Sequence, residues 1–200
     1  MSNSTSGNVP VLNIANVLTV IRILMVPLFI WLLLSDDGRD GLYRWLAVAT
    51  FAVAIYTDKL DGDLARSRGL ITDFGKIADP IADKLLIGSA LVMLSALGEL
   101  WWWVTIVILV REIGITVLRF VVIRYGVMAA SRGGKLKTVI QTLAIFLLLL
   151  PLTTWLGAWA WWIGAVVMAA ALVITVVTGV DYIIQAVKLR RRALQNPGNR

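Results

Sequence analysis

A run of apolar residues from 12 to 35, interrupted by one charge at Arg22, is the first constraint on this chain. A helix needs roughly 20 mainly apolar residues to cross the hydrocarbon layer of a bilayer. Comparable runs recur at about 41–60, 80–98, 101–125, 136–154 and 158–187. The pattern predicts an all-α, polytopic membrane protein with six transmembrane helices, built as a single membrane domain over residues 1–200. Composition agrees: 59% of residues are hydrophobic and 16% charged, against ~45–50% and ~25% in soluble domains. Residues 1–10, MSNSTSGNVP, read as a flexible N-terminus, and 188–200 as a basic C-terminal tail. The opening lacks the basic stretch and the cleavage site of a secretory signal.

Charge placement orients the spans. The turns near 58–84, 124–137 and 188–200 hold most of the 19 Lys and Arg, whereas those near 36–40, 99 and 156 hold only Arg39, with Arg44 close by. Loops rich in Lys and Arg stay in the cytoplasm, which puts both termini there. The tryptophans agree. Trp31, Trp45, Trp101, Trp102, Trp103, Trp155, Trp159, Trp161 and Trp162 all fall near the opposite turns, and indole favours the lipid–water interface. A net charge of +7 then suits anionic lipid. No nucleic-acid partner is expected, because no nucleic-acid-binding motif accompanies the charge. The expected location is the cell membrane, with any chemistry of the turn between spans two and three at its cytoplasmic face.

The chain has no Cys and no His. Acid–base or metal work therefore falls to Asp, Glu, Lys, Tyr or water. Against that background the turn YTDKLDGDLARSRGLITDFGKIADPIADKLL carries six Asp between positions 58 and 83. Asp58 and Asp61 lie three apart and share a helix face at the end of span two; Asp79 and Asp83 lie four apart and share one at the start of span three. The short turn lets those faces converge. Carboxylates gathered at a membrane border repel one another, and hard divalent cations relieve this through oxygen ligands. Two such metals ~3.5–4 Å apart suit phosphoryl transfer. Asp63 and Asp73 read as ordinary loop acids beside Lys59, Arg66, Arg68, Lys76 and Lys84. Gly62 would let a ligand reach the backbone, Ala65 and Gly75 would let helices approach closely, and Pro80 fits a helix start or a kink.

Written out, the turn is Asp58-x2-Asp61-Gly62-x2-Ala65-Arg66-x8-Gly75-x3-Asp79-x3-Asp83. It resembles, at each of these fixed positions, the signature of the CDP-alcohol phosphotransferase family of membrane enzymes, and the six spans extend the resemblance over nearly the whole chain. Members transfer a phosphatidyl or related group from a CDP-linked lipid to an alcohol and release CMP. The resemblance implies that Asp58, Asp61, Asp79 and Asp83 hold two divalent cations, Mg2+ or Mn2+, with Asp83 also the catalytic general base. It places Gly62, Arg66 and Thr72 at CDP-diacylglycerol. It also sets the stripe Asn16, Thr19 and Arg22 beside the nucleotide, although the residues alone also allow a polar packing seam. A homodimer is the family expectation.

Four stretches resemble the branch of that family that uses glycerol 3-phosphate: NIANVLTVIR, TDFGKIADPIADKLL, REIGITVLR and GKLKT. A phosphorylated acceptor calls for cations, and Arg111, Arg119, Lys135 and Lys137 are the candidates. Arg111 lies within a span, where a cation needs a cavity or a partner, and Glu112 is placed to pair with Arg119. Inside-positive topology competes as the reason for Lys135 and Lys137. The implied reaction moves the phosphatidyl group of CDP-diacylglycerol to glycerol 3-phosphate, giving phosphatidylglycerol phosphate and CMP. Two alternatives stay open. One keeps the chemistry and changes the acceptor to phosphatidylglycerol (a cardiolipin synthase), inositol phosphate or serine. The other is cation or proton transport through buried carboxylates.

Overall fold

The computed structural model describes residues 13–35, 41–67, 72–122 and 132–195. Residues 1–10, Arg39, Arg68 and Arg124 lie outside these, as do the side chains of Ala65, Arg66, Asp73, Lys76, 132–135 and 192–195. The described residues form α-helices throughout, with no strand: α1 (Ile14–Leu34), α2 (Leu42–Ser67), α3 (Asp73–Ala96), α4 (Trp102–Val122), α5 (Arg132–Leu149), the short α6 (Leu152–Leu156) and α7 (Trp161–Gln195). Each of the six expected spans has a long helix. By length and apolarity, α1 and the segment Ala158–Arg191 suffice to cross a bilayer. Helix packing groups the chain into two units, Met1–Met93 and Leu94–Arg200.

In the first unit α1 packs on α2. Asn13 opens α1, its side chain accepting the Asn16 backbone N–H at 3.0 Å. Phe29 and Phe51 meet in this unit with ring centroids 5.8 Å apart, and Ala47 and Ala54 are fully buried, small side chains that let helix backbones come close. The other face of α1 exposes Ile14, Val17, Ile21, Leu24 and Leu28, while Asn16, Thr19 and Arg22 are buried. Polar groups inside and large aliphatic ones outside is the distribution a helix adopts in lipid, where outward apolar surface costs nothing.

In α2 and α3 the element boundaries depart from expectation. α2 runs to Ser67, so Asp58 and Asp61 stand on continuous helix that outlasts the apolar run. α3 begins at Asp73, not near 80, because Thr72 caps it: its hydroxyl accepts the Gly75 N–H at 3.0 Å. Pro80 therefore sits inside α3, where it removes one backbone donor.

In the second unit α4 and α5 both pack on α7. A β-carbon added at Gly164 of α7 would lie 2.7 Å from Leu148 Cδ2 of α5, so that crossing depends on glycine. Ser95 and Thr105 hydrogen-bond at 2.7 Å. The Trp161 indole donates to the Glu99 carbonyl at 2.9 Å and stacks edge-on against Trp101 and Trp162, with centroids 5.5 and 5.0 Å away. The expected span 136–154 is broken. α5 stops at Leu149, Pro151 precedes α6, and Gly157 at φ 87° turns the chain towards α7.

Candidate active site

The polar stripe of α1 lies beside both acidic pairs of the first unit. Asn16, Thr19 and Arg22 recur at intervals of three and so project from one side of the helix. The Thr72 hydroxyl lies 2.8 Å from Asn16 Nδ2 and 3.0 Å from Asn16 Oδ1. One turn on, Thr19 donates to Asp79 Oδ1 at 2.6 Å. One further turn on, Arg22 forks between two carboxylates: Nη1 meets Asp58 and Nη2 meets Asp61. Three of the motif aspartates, Asp58 and Asp61 of α2 and Asp79 of α3, are thus linked through α1. Gly75 makes the seam possible, since a β-carbon there would lie 2.9 Å from Asn16 Oδ1 and 3.3 Å from Thr72 Oγ1.

Asp61 is 3% exposed, Arg22 not exposed at all, and Asp58 and Asp79 are half-buried. Burial pushes the Asp61 carboxyl from its usual 3.8 to about 6; Arg22 opposes the rise, Asp58 and Asp79 add to it by repulsion, and the Gly62 amide opposes it. Two further carboxylates thus add to the cost of ionising Asp61, a cost that a bound cation would relieve. The donors are all hard oxygens, which suits Mg2+ or Mn2+. Among the described residues no three acidic side chains already surround one point; Arg22 occupies the position between Asp58 and Asp61. Asp83 is half-buried on α3, one turn beyond Asp79. Gly62 follows Asp61 on α2 with half its surface covered, and Arg66 continues the helix a turn further.

Of the basic residues singled out in the sequence, Arg111, Arg119 and Lys137 lie in the second unit and have partners, whereas the side chain of Lys135 lies outside the described residues. Arg111 donates from Nε to the Thr175 carbonyl at 3.1 Å, from Nη2 to Thr178 Oγ1 at 2.7 Å, and from Nη1 to Glu112 at 3.0 Å. Lys137 of α5, buried, pairs with the same Glu112 carboxylate. Glu112 therefore joins Arg111 and Lys137 rather than Arg119, because its neighbour in sequence and a lysine on the adjacent helix are nearer partners. Arg119 donates to the Tyr182 hydroxyl at 2.9 Å and lies over its ring, 5.1 Å from the centroid. Sequence reasoning missed Thr175, Thr178 and Tyr182. Their spacing of three and four marks one face of α7, a polar line in an apolar helix that was there to be read. Beside Arg111, α4 and α7 line an open groove of about 590 Å3 whose other lining residues, such as Val110, Ile115, Val176 and Val180, are apolar or glycine.

Comparison with known proteins converges on one group. The family described as CDP-alcohol phosphatidyltransferase matches residues 12–178. A protein of Mycobacterium tuberculosis named "Probable phosphatidylglycerophosphate synthase" is 52% identical over 183 residues, covering 92% of this chain and 86% of the relative. A Bacillus subtilis protein named CDP-diacylglycerol–glycerol-3-phosphate 3-phosphatidyltransferase is 38% identical over 148 residues, 69% of this chain and 77% of the relative. One of the same name from Rickettsia felis is 34% identical over 171 residues, 85% and 93% of the two chains.

Proposed function

The chain belongs to the CDP-alcohol phosphatidyltransferase family, and from that premise we propose that it transfers the phosphatidyl group of CDP-diacylglycerol to sn-glycerol 3-phosphate. The products are phosphatidylglycerol phosphate and CMP. The observation that carries the reading is the aspartate motif on α2 and α3, three of whose members, Asp58, Asp61 and Asp79, are joined by Thr19 and Arg22 in one acidic seam. The choice of acceptor rests on what the relatives are named for.

In the proposed mechanism Asp83 accepts the proton of the acceptor's 1-hydroxyl, and the oxygen so freed attacks the lipid-side phosphorus. The bond from that phosphorus to the bridging oxygen breaks, and CMP carries the electron pair away. Bound by Asp58, Asp61, Asp79 and Asp83, two divalent cations would neutralise the diphosphate and the leaving oxygen. Thr19 holds Asp79 in one rotamer. Gly62, Arg66, Thr72, Asn16 and Arg22 are assigned to the CDP moiety, and Arg111, Arg119, Lys135 and Lys137 to the acceptor's phosphate. The protein works in the cell membrane as a homodimer, with six spans, both termini in the cytoplasm and the acidic seam at the cytoplasmic face.

The test is CMP release by the purified chain from CDP-diacylglycerol, with glycerol 3-phosphate, phosphatidylglycerol, inositol phosphate or serine, in the presence and absence of Mg2+ or Mn2+. Release is expected with glycerol 3-phosphate and metal together. Turnover after complete chelation overturns the metal mechanism, and preference for another acceptor overturns the substrate assignment.

A further inference from the structure

Arg22 lies about two turns into α1, fully buried, in a helix long and apolar enough to span a bilayer. A cation there is costly unless answered. Its answer is divided: one terminal nitrogen goes to Asp58, the other to Asp61 one turn along α2. The remaining donor, Nε, is buried without a hydrogen-bond partner among the described residues. An arginine kept only for structure is normally satisfied at all its donors, because each orphan is paid for in desolvation. Among the described residues this charge faces a third carboxylate as well, since Asp79 adds to the repulsion felt by Asp61. The oxygens that Arg22 holds are the ones a divalent cation would take. A guanidinium and a dication cannot both sit against them without mutual repulsion.

We infer that Arg22 is a positioning residue that holds Asp58 and Asp61 in place in the metal-free chain and competes with divalent metal for their oxygens, withdrawing when metal binds. The inference rests on Asp58 and Asp61 being metal ligands, as proposed above. It makes the guanidinium a placeholder: the carboxylates stay oriented before metal arrives, at the expense of metal affinity.

Mn2+ titration of the purified full chain in detergent, without lipid substrate, tests this by calorimetry and by thermal unfolding. Arg22→Gln is expected to bind Mn2+ about tenfold more tightly than the wild type, to unfold at lower temperature without metal, and to gain more from Mn2+. Arg22→Lys keeps the charge but loses the fork, so its Mn2+ affinity should fall between the two. Unchanged or weaker Mn2+ binding by the Gln variant, with normal binding by the wild type, overturns the inference and leaves the proposed function standing. Absence of Mn2+ binding by the wild type overturns both. If the Gln variant does not survive purification, the Lys variant decides: tighter binding supports competition, equal or weaker binding overturns it.

Discussion

Burial pushes the Asp61 carboxyl up from the ordinary 3.8 to about 6. A metal needs the ionised carboxylate, and below about 6 a proton occupies it. Metal affinity should therefore be full at pH 7–8 and fall as pH drops through about 6, approaching a tenfold loss per unit once the group is mostly protonated; Mn2+ titrations between pH 5 and 8 measure this. Asp61→Asn and Asp79→Asn should each slow CMP release by about 10²–10³-fold or more, the scale on which a lost charge-stabilising contact slows group transfer. Thr19→Val keeps the shape and removes the hydrogen bond to Asp79, and should cost about 10–100-fold in metal affinity or turnover, as losing a ligand's supporting partner does. The aspartates were legible in the sequence because spacings of three and four translate directly into helix faces. The grip of Arg22 on Asp58 and Asp61 was not, since the partners are 36 and 39 residues away and leave no periodic trace.

At the scale of the elements, glycines decide which crossings are tight. Gly164→Ala would press a β-carbon against the Leu148 side chain and come within 3.3 Å of its backbone nitrogen, so α5 and α7 should separate slightly, at about 1–3 kcal/mol. Gly75→Ala should act similarly on the Asn16–Thr72 seam and lower turnover as well. Gly114→Ala meets nothing within 4 Å and should leave the unfolding temperature unchanged or slightly higher, since alanine is the better helix former. Thermal unfolding of the three variants in one detergent separates these outcomes. Existence of the long helices was legible from apolar runs; their ends were not. Thr72 caps α3 well before the apolar stretch begins, and a cap obeys hydrogen bonding, not hydropathy. Of the two readings of Pro80, a helix start or a kink, its place inside α3 excludes the first.

For the whole molecule the proposed topology makes an accessible test, because a chain without Cys needs no background mutations. Ala158→Cys should react with a membrane-impermeant maleimide added to intact cells, whereas Asn3→Cys and Asn199→Cys should react only after permeabilisation. The reverse pattern would invert the orientation drawn from Lys and Arg. The buried Arg22 has a consequence for biogenesis. When α1 reaches the translocon its guanidinium has no counter-ion, because Asp58 and Asp61 follow 36 and 39 residues behind. The translocon must therefore either hold the first segment at its lateral gate or release it with an unanswered charge, until α2 follows and the two enter lipid as one helical hairpin.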